Sequence, residues 1–536
     1  MKVHILLLAA LAFVCSSFAF ADQGHDHAYD PHEKLGTVNF PISCAPEVQK
    51  PFERGVALMH SFWYEEAQKQ FAAVAAEDPK CAMAYWGQSM ALWHQLWDRP
   101  SDENMKRGLA LVKLAEDAHA KTQRERDYIA AVAAYYDGSS DRDYDSRTKA
   151  YSAAMEKVYL AHPNDHEAAA FYALSLLSSA PPRDSTFANA RKAIPILQKL
   201  FEEYPDHPGA AHYLIHATDC PQLAPLGLNA ARRYAQIAPA SPHAVHMPSH
   251  IFARLGLWQE DIHSNLASIA ATQRAQEMHM GGAEHKLHAM DFLEYAYLQI
   301  GDDAKAKAIL EQLPSMHETD MSDGMSGYLD MARASFPATY WIETRNWKEA
   351  AALQPVQGAK PYHAAIVYWA QAVGYGHLHD AAGARKAVAQ YDAMVEATKK
   401  TSEAYAAEFM DTERDEAAAW AAFAAGNNDA AVHLMRSVAD RQDSLGKGET
   451  ALPAREMLAD MLLQMKRPAD ALAEYEKSMK VDPNRFNGLY GAAQSAAALN
   501  EPGKAKMYYA QLLKNCAGSH SDRAELVQAK TLVAMK

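Results

Sequence analysis

The sequence predicts an all-α fold, a solenoid of stacked antiparallel helix pairs, on three observations. Small and apolar residues recur with a spacing of 34: Leu458-Ala459, Leu462, Ala471 and Tyr475 reappear as Ala492-Ala493, Ala496, Ala505 and Tyr509, and Pro205 and Pro239 are also 34 apart. Alanine is abundant and runs of β-branched residues are few, which favours helix. Short polar turns separate apolar runs, as at Gly301-Asp302-Asp303, Arg345-Asn346 and Gly426-Asn427-Asn428. One helix pair cannot bury its apolar face alone, so neighbouring pairs stack into a continuous core.

In chain order, residues 1–21 read as a secretory signal. Lys2 precedes the apolar run Ile5 to Val14, and Ala19-Phe20-Ala21 supplies a small-residue cleavage pattern. The expected compartment is periplasmic or extracellular. No later stretch approaches the ~20 apolar residues needed to span a bilayer. Loss of Lys2 moves the formal charge from −14 to −15. An acidic chain argues against nucleic acid or anionic lipid as partner. Residues 22–46 form a flexible polar arm containing His25, His27 and His32. Export permits disulfides among Cys44, Cys81, Cys220 and Cys516. Cys44 with Cys81 would tie the arm to the first hairpin; four separate buried thiols are the alternative, since sequence does not set connectivity.

Helical hairpins then occupy 47–136. A charged loop follows over 137–147, and central repeats run over 148–313. Residues 314–330 form a Met/Asp/Gly-rich loop with Met316, His317, Asp320, Met321, Asp323, Gly324 and Met325. A loop of this length is either a functional cover or a tolerated insertion. Divergent repeats occupy 331–450, a clear repeat pair 451–515, and a final helix or tail 516–536. The period of 34, small residues where two helices cross, an aromatic in the second helix and proline at the exit resemble the tetratricopeptide repeat family. The likeness spans most of 47–515, strongly at both ends and loosely between. The block Phe52-Glu53-Arg54-Gly55-Val56-Ala57-Leu58, with Cys81-Ala82-Met83-Ala84-Tyr85-Trp86-Gly87 and Pro453-Ala454-Arg455-Glu456, also resembles exported bacterial repeat proteins. That likeness bears on fold and export, not on activity. No Rossmann, Walker or Gly-x-Ser-x-Gly motif is present.

Three segments carry candidate chemistry: His212, His216 and Asp219; His243, His246 and His250; His285, His288 and Asp291. At about 100° per residue the first two sets each fall within about 60° of one helix face, and the third within about 120°. Counted in repeats of 34, with frames starting at Pro208 and Pro242, the first set takes positions 5, 9 and 12 and the second 2, 5 and 9. His288 and Asp291 take 2 and 5 of a later frame. The resemblance implies that these positions line the concave groove. Imidazole with carboxylate suits one transition-metal ion, Zn, Fe, Mn or Cu. Residues at i and i+3 or i+4 reach one ion from a single turn. Against this, histidine numbers 25 of 536, so clustering by chance and ordinary core packing are live alternatives. Pro248 between His246 and His250 should start or kink a helix and disturb the shared face.

The sequence therefore supports a binding protein whose groove holds a metal ion or a peptide, protein or small ligand. A metal-dependent hydrolase using the same cluster is the alternative, with Glu284, Asp219 and Asp291 as candidate acid/base groups and the 314–328 loop as lid. A metal-free protein scaffold is the third. Met278, Met280, Met290, Met316, Met321, Met325 and Met331 invite a copper reading but also fit ordinary helical cores.

Overall fold

The computed structural model describes residues 33–96, 99–137, 143–278, 280, 283–317 and 327–534. The signal segment, residues 22–32 of the polar arm, the tip of the charged loop and residues 318–326 lie outside the described residues, whereas Leu35, Val38 and Phe40 of the arm are buried in the core. Over Lys34–Lys536 the chain forms one compact unit of helices, with no strand among the described residues. Consecutive helices pack as antiparallel pairs, from Gln49–His60 with Tyr64–Glu77 to Phe486–Ala498 with Pro502–Asn515. This is an all-α solenoid. None of the described helices is long and apolar enough to cross a membrane.

The turns repeat one device. In eight hairpins the first helix ends on a residue in the left-handed region: Phe62, Gly256, Gly301, Arg345, His379, Gly426, Lys466 and Asn500. The next backbone N–H reaches back to a carbonyl five residues earlier, as in Leu257 to Phe252 at 2.8 Å and Arg467 to Leu462 at 2.9 Å. That closure satisfies carbonyls left over at the helix end and reverses the chain. Arg345 and His379 are 34 apart, as are Lys466 and Asn500, whereas Gly301 and Arg345 are 44 apart. Longer repeats in the middle explain why the period is faint there.

The small residues of the repeat make room for aromatics. A Cβ on Gly55 or Gly87 would lie 2.7 or 2.5 Å from the Phe71 ring. Phe71, in the second helix of its hairpin, is thus wedged between two first helices. Burying such a ring contributes about 1.5–3 kcal/mol. Cys44 and Cys81 are joined as a disulfide, and Cys220 and Cys516 are buried thiols.

Distant repeats also meet. His60 in the first hairpin contacts Glu167 at 2.7 Å and Tyr213 at 2.8 Å. From the other side, Arg183 meets Asp411 at 2.7 Å and Arg254 donates to the Lys447 carbonyl at 2.8 Å. The segment 446–452 therefore lies against the central helices. The histidines expected on an open groove wall are enclosed instead.

Candidate metal centre

Four helices of three successive repeats supply the histidines. His212 and His216 lie on Pro208–Thr218, whose N-terminus is capped by His207. His243 and His246 lie on Pro242–His246, capped by Ser241, and His250 lies on Pro248–Arg254. Pro248 starts a new helix, as its missing N–H requires. Met247 between the two stays in the right-handed helical region, and its N–H still reaches the His243 carbonyl at 2.9 Å. His246 and His250 still meet. His285, His288 and Asp291 lie on Ala283–Gln299.

The sequence groups the ligands by helix; the structure groups them across helices. In the first trio, His212 Nε2 lies 3.1 Å from His216 Nε2 and 3.1 Å from His243 Nε2. In the second, His250 Nε2 lies 3.0 Å from His246 Nε2 and 3.3 Å from His288 Nε2. All three donor atoms of each trio lie within 4.8 Å of one another. Three nitrogens bound to one tetrahedral ion at about 2.0–2.1 Å sit about 3.3 Å apart, which the two short spacings of each trio match. Each trio takes repeat positions 5 and 9 from one helix and position 2 from the next.

The far ring nitrogens are held in place. His212 Nδ1–H donates to the His60 carbonyl at 2.6 Å and His246 Nδ1–H to Asn265 Oδ1 at 2.6 Å. His288 Nδ1–H donates to the Tyr328 hydroxyl at 2.8 Å. His250 Nδ1–H donates to Asp219 at 2.8 Å and Glu449 at 3.1 Å. Bonds of this kind fix tautomer and ring orientation and leave Nε2 facing inward.

Asp219 thus sits behind a histidine rather than among the converging nitrogens. It also accepts from Arg254 Nε at 2.9 Å. Asp291 accepts from Thr450 at 3.1 Å, and burial raises its carboxyl to about 7. His285 stands beside the first trio, its ring 5.4 Å from that of His243 and its Nε2 3.9 Å from Glu284. Burial, with Glu284 nearby, also raises Glu65.

Burial lowers most of these imidazoles: His216 and His288 to about 3, His285 to about 4, and His212, His243 and His246 well below their ordinary value. They are neutral at physiological pH, the form that ligates metal. His250 differs. Burial would lower it, but Asp219 and Glu449 outweigh burial and raise it to about 10.

Two phenylalanines flank the trios. The Phe62 ring lies 4.3 Å from that of His212 and stacks on His216 and His243 at 5.3 and 5.6 Å. Phe62 occupies the left-handed region at φ 53°, which costs a non-glycine residue about 1–2 kcal/mol. Phe292 lies 4.9 Å from His246 and 4.7 Å from His250. Sequence reasoning did not find Phe62, Asn265, Tyr328, Arg254 or Glu449. Glu449 is 199 residues from His250, and no local pattern announces such a pairing.

No protein-family model matches the chain, and no curated protein matches it in sequence. Among solved structures it is similar to a tetratricopeptide repeat protein from Parabacteroides merdae, at 14% identity over 55% of this chain and 97% of that one, with a TM-score of 0.27. It is also similar to human IFIT1, solved as a dimer with m7Gppp-AAAA, at 12% identity over 81% of this chain and 90% of that one, with a TM-score of 0.34.

Proposed function

We propose that this chain is an exported repeat protein that holds a pair of transition-metal ions, one in each histidine trio. The carrying observation is the double convergence of three imidazole nitrogens, at 3.1 Å in one trio and 3.0–3.3 Å in the other. Three protein ligands leave the fourth position of a tetrahedral ion open, as catalytic rather than structural sites do. The donor set is wholly imidazole, which favours copper, zinc or nickel over ions that prefer oxygen. The Cys44–Cys81 disulfide and the leader-like residues 1–21 support export.

Hydrolysis is a second reading, supported by Asp291 at about 7 and the raised Glu65 near the first trio. A carboxyl titrating near neutrality can exchange protons with metal-bound water.

Elemental analysis of the untagged mature protein tests the reading. Two ions per chain are expected, one in His216→Ala or His250→Ala, and none in the double variant. Unchanged stoichiometry in the double variant, in protein shown by circular dichroism to be folded, would remove the assignment.

A further inference from the structure

We propose that the metal pair is copper and that its ligand is dioxygen, bound between the two ions; this rests on the two-trio reading above. Rings of different trios, His216 with His250 and His243 with His246, are each 6.2 Å apart. Within the first trio, His216 and His243 are 6.4 Å apart. Rings of the two trios thus approach one another as closely as the most separated rings of one trio, so the two sites are neighbours and a single small ligand bridging them is part of the proposal.

The six donors are imidazoles, which bring no negative charge to a bound ion, and their rings are buried or half-buried. The nearest paired carboxylates, Asp219 and Glu449, lie behind His250 and share the Arg254 guanidinium at 2.9 and 3.4 Å. Two divalent ions would bring four positive charges into a pocket with little negative charge left to meet them, and buried unpaired charge is costly. Two copper(I) ions bring two. Imidazole ligates copper.

Two neighbouring copper(I) ions each give one electron to dioxygen, forming bridging peroxide and two copper(II) ions, with no proton transferred. The charge before is two, from the copper(I) pair. Afterwards it is four from copper(II) less two from peroxide, again two. The buried centre binds oxygen without a change in its net charge. Zinc cannot supply the electrons. Phe62 and Phe292 flank the trios with apolar rings, which suits a small uncharged ligand over a hydrated anion.

The test loads metal-stripped protein with copper(I) under argon, counts copper, then admits oxygen. Expected are two coppers per chain and uptake of one dioxygen per copper pair. A new charge-transfer absorption should appear, reverse under argon and carry no paramagnetic signal of isolated copper(II). Two bound coppers without oxygen uptake, or with irreversible oxidation to two separately visible copper(II) ions, would overturn the dioxygen proposal and leave the metal reading standing. No copper bound, with zinc also refused, would overturn both. His288→Ala should keep one copper and lose oxygen uptake. His243→Asn should do the same from the other trio, so the loss can be read even if one variant does not fold. Oxygen uptake that persists in folded variants holding one copper would also overturn the proposal.

Discussion

Acid should destabilise the metal-stripped protein through its buried histidines, and His216 sets the size of the effect. Burial holds its imidazole at about 3, against an ordinary 6.5. A histidine lowered in the folded state contributes nothing above pH 6.5. Below that the unfolded chain takes up a proton that the folded chain refuses, and stability falls until the pH reaches the folded value. At pH 5 the gap from 6.5 is worth about 2 kcal/mol, at about 1.4 kcal/mol per pH unit. His216→Asn removes the group and with it this dependence. Urea unfolding of wild type and variant, in chelator and followed by circular dichroism, should therefore show the stability difference moving by about 2 kcal/mol in favour of the variant between pH 7 and pH 5. An identical difference at the two pH values would mean that His216 titrates as a solvated histidine, and the enclosed trio would be refuted. His250 has the opposite sign. Asp219 and Glu449 raise it to about 10 against the effect of burial, so its stabilisation is complete below pH 6.5 and is lost as pH rises through 10.

Asp219→Asn removes the acceptor behind His250 and should weaken metal at the second trio by about 10- to 100-fold while sparing the first, as metal titration would show. Arg485 is buried between Glu343 at 2.5 Å and Glu456 at 3.0 Å; Arg485→Met leaves two buried carboxyls without their cation and should cost about 3–5 kcal/mol in urea unfolding. Gly256 has φ 63°, and a Cβ there would lie 2.3 Å from the Pro483 carbonyl oxygen, so Gly256→Ala should lower the melting temperature and loosen the contact of this turn with residues 483–484. Reducing Cys44–Cys81 should cost about 2–4 kcal/mol, seen as a lower urea midpoint in reductant.

The repeat was legible where its signal is local. Small residues, an aromatic and a turn follow one another within a hairpin, and each follows from helix packing. Between Gly256 and Arg345 the spacing stretches, and only the left-handed turn residues keep time. Candidate ligands were legible as a set because imidazoles at i and i+4 share a helix face. Their partition was not. It depends on which residue of the next helix faces across, and His243 turns back to the first trio although His246, three residues on, serves the second. The enclosure was also hidden, because Phe62 and Glu449 come from opposite ends of the chain and reach the histidines only through the winding of the solenoid.

The two trios are copies of one motif. His212 and His246 are 34 apart, as are His216 and His250, so each helix presents the same pair one repeat later. The third members, His243 and His288, are 45 apart. The extra length falls after the second pair, where Trp258–Glu277 has 20 residues against 14 in Ala224–Ile237. Lengthening a second helix moves the chain outside the site and leaves the first helices in register, so the ligand geometry survives the insertion. The series then stops at both ends for chemical reasons. At position 2 of the earlier frame stands Gly209, which has no side chain to ligate and lies against His60. At positions 5 and 9 of the later frame stand Asp291 and Tyr295, already engaged by Thr450 and Arg485. Three histidine-bearing repeats thus give two sites, and no third of this design among the described residues, because such a site needs position 9 of one repeat and position 2 of its neighbour at once.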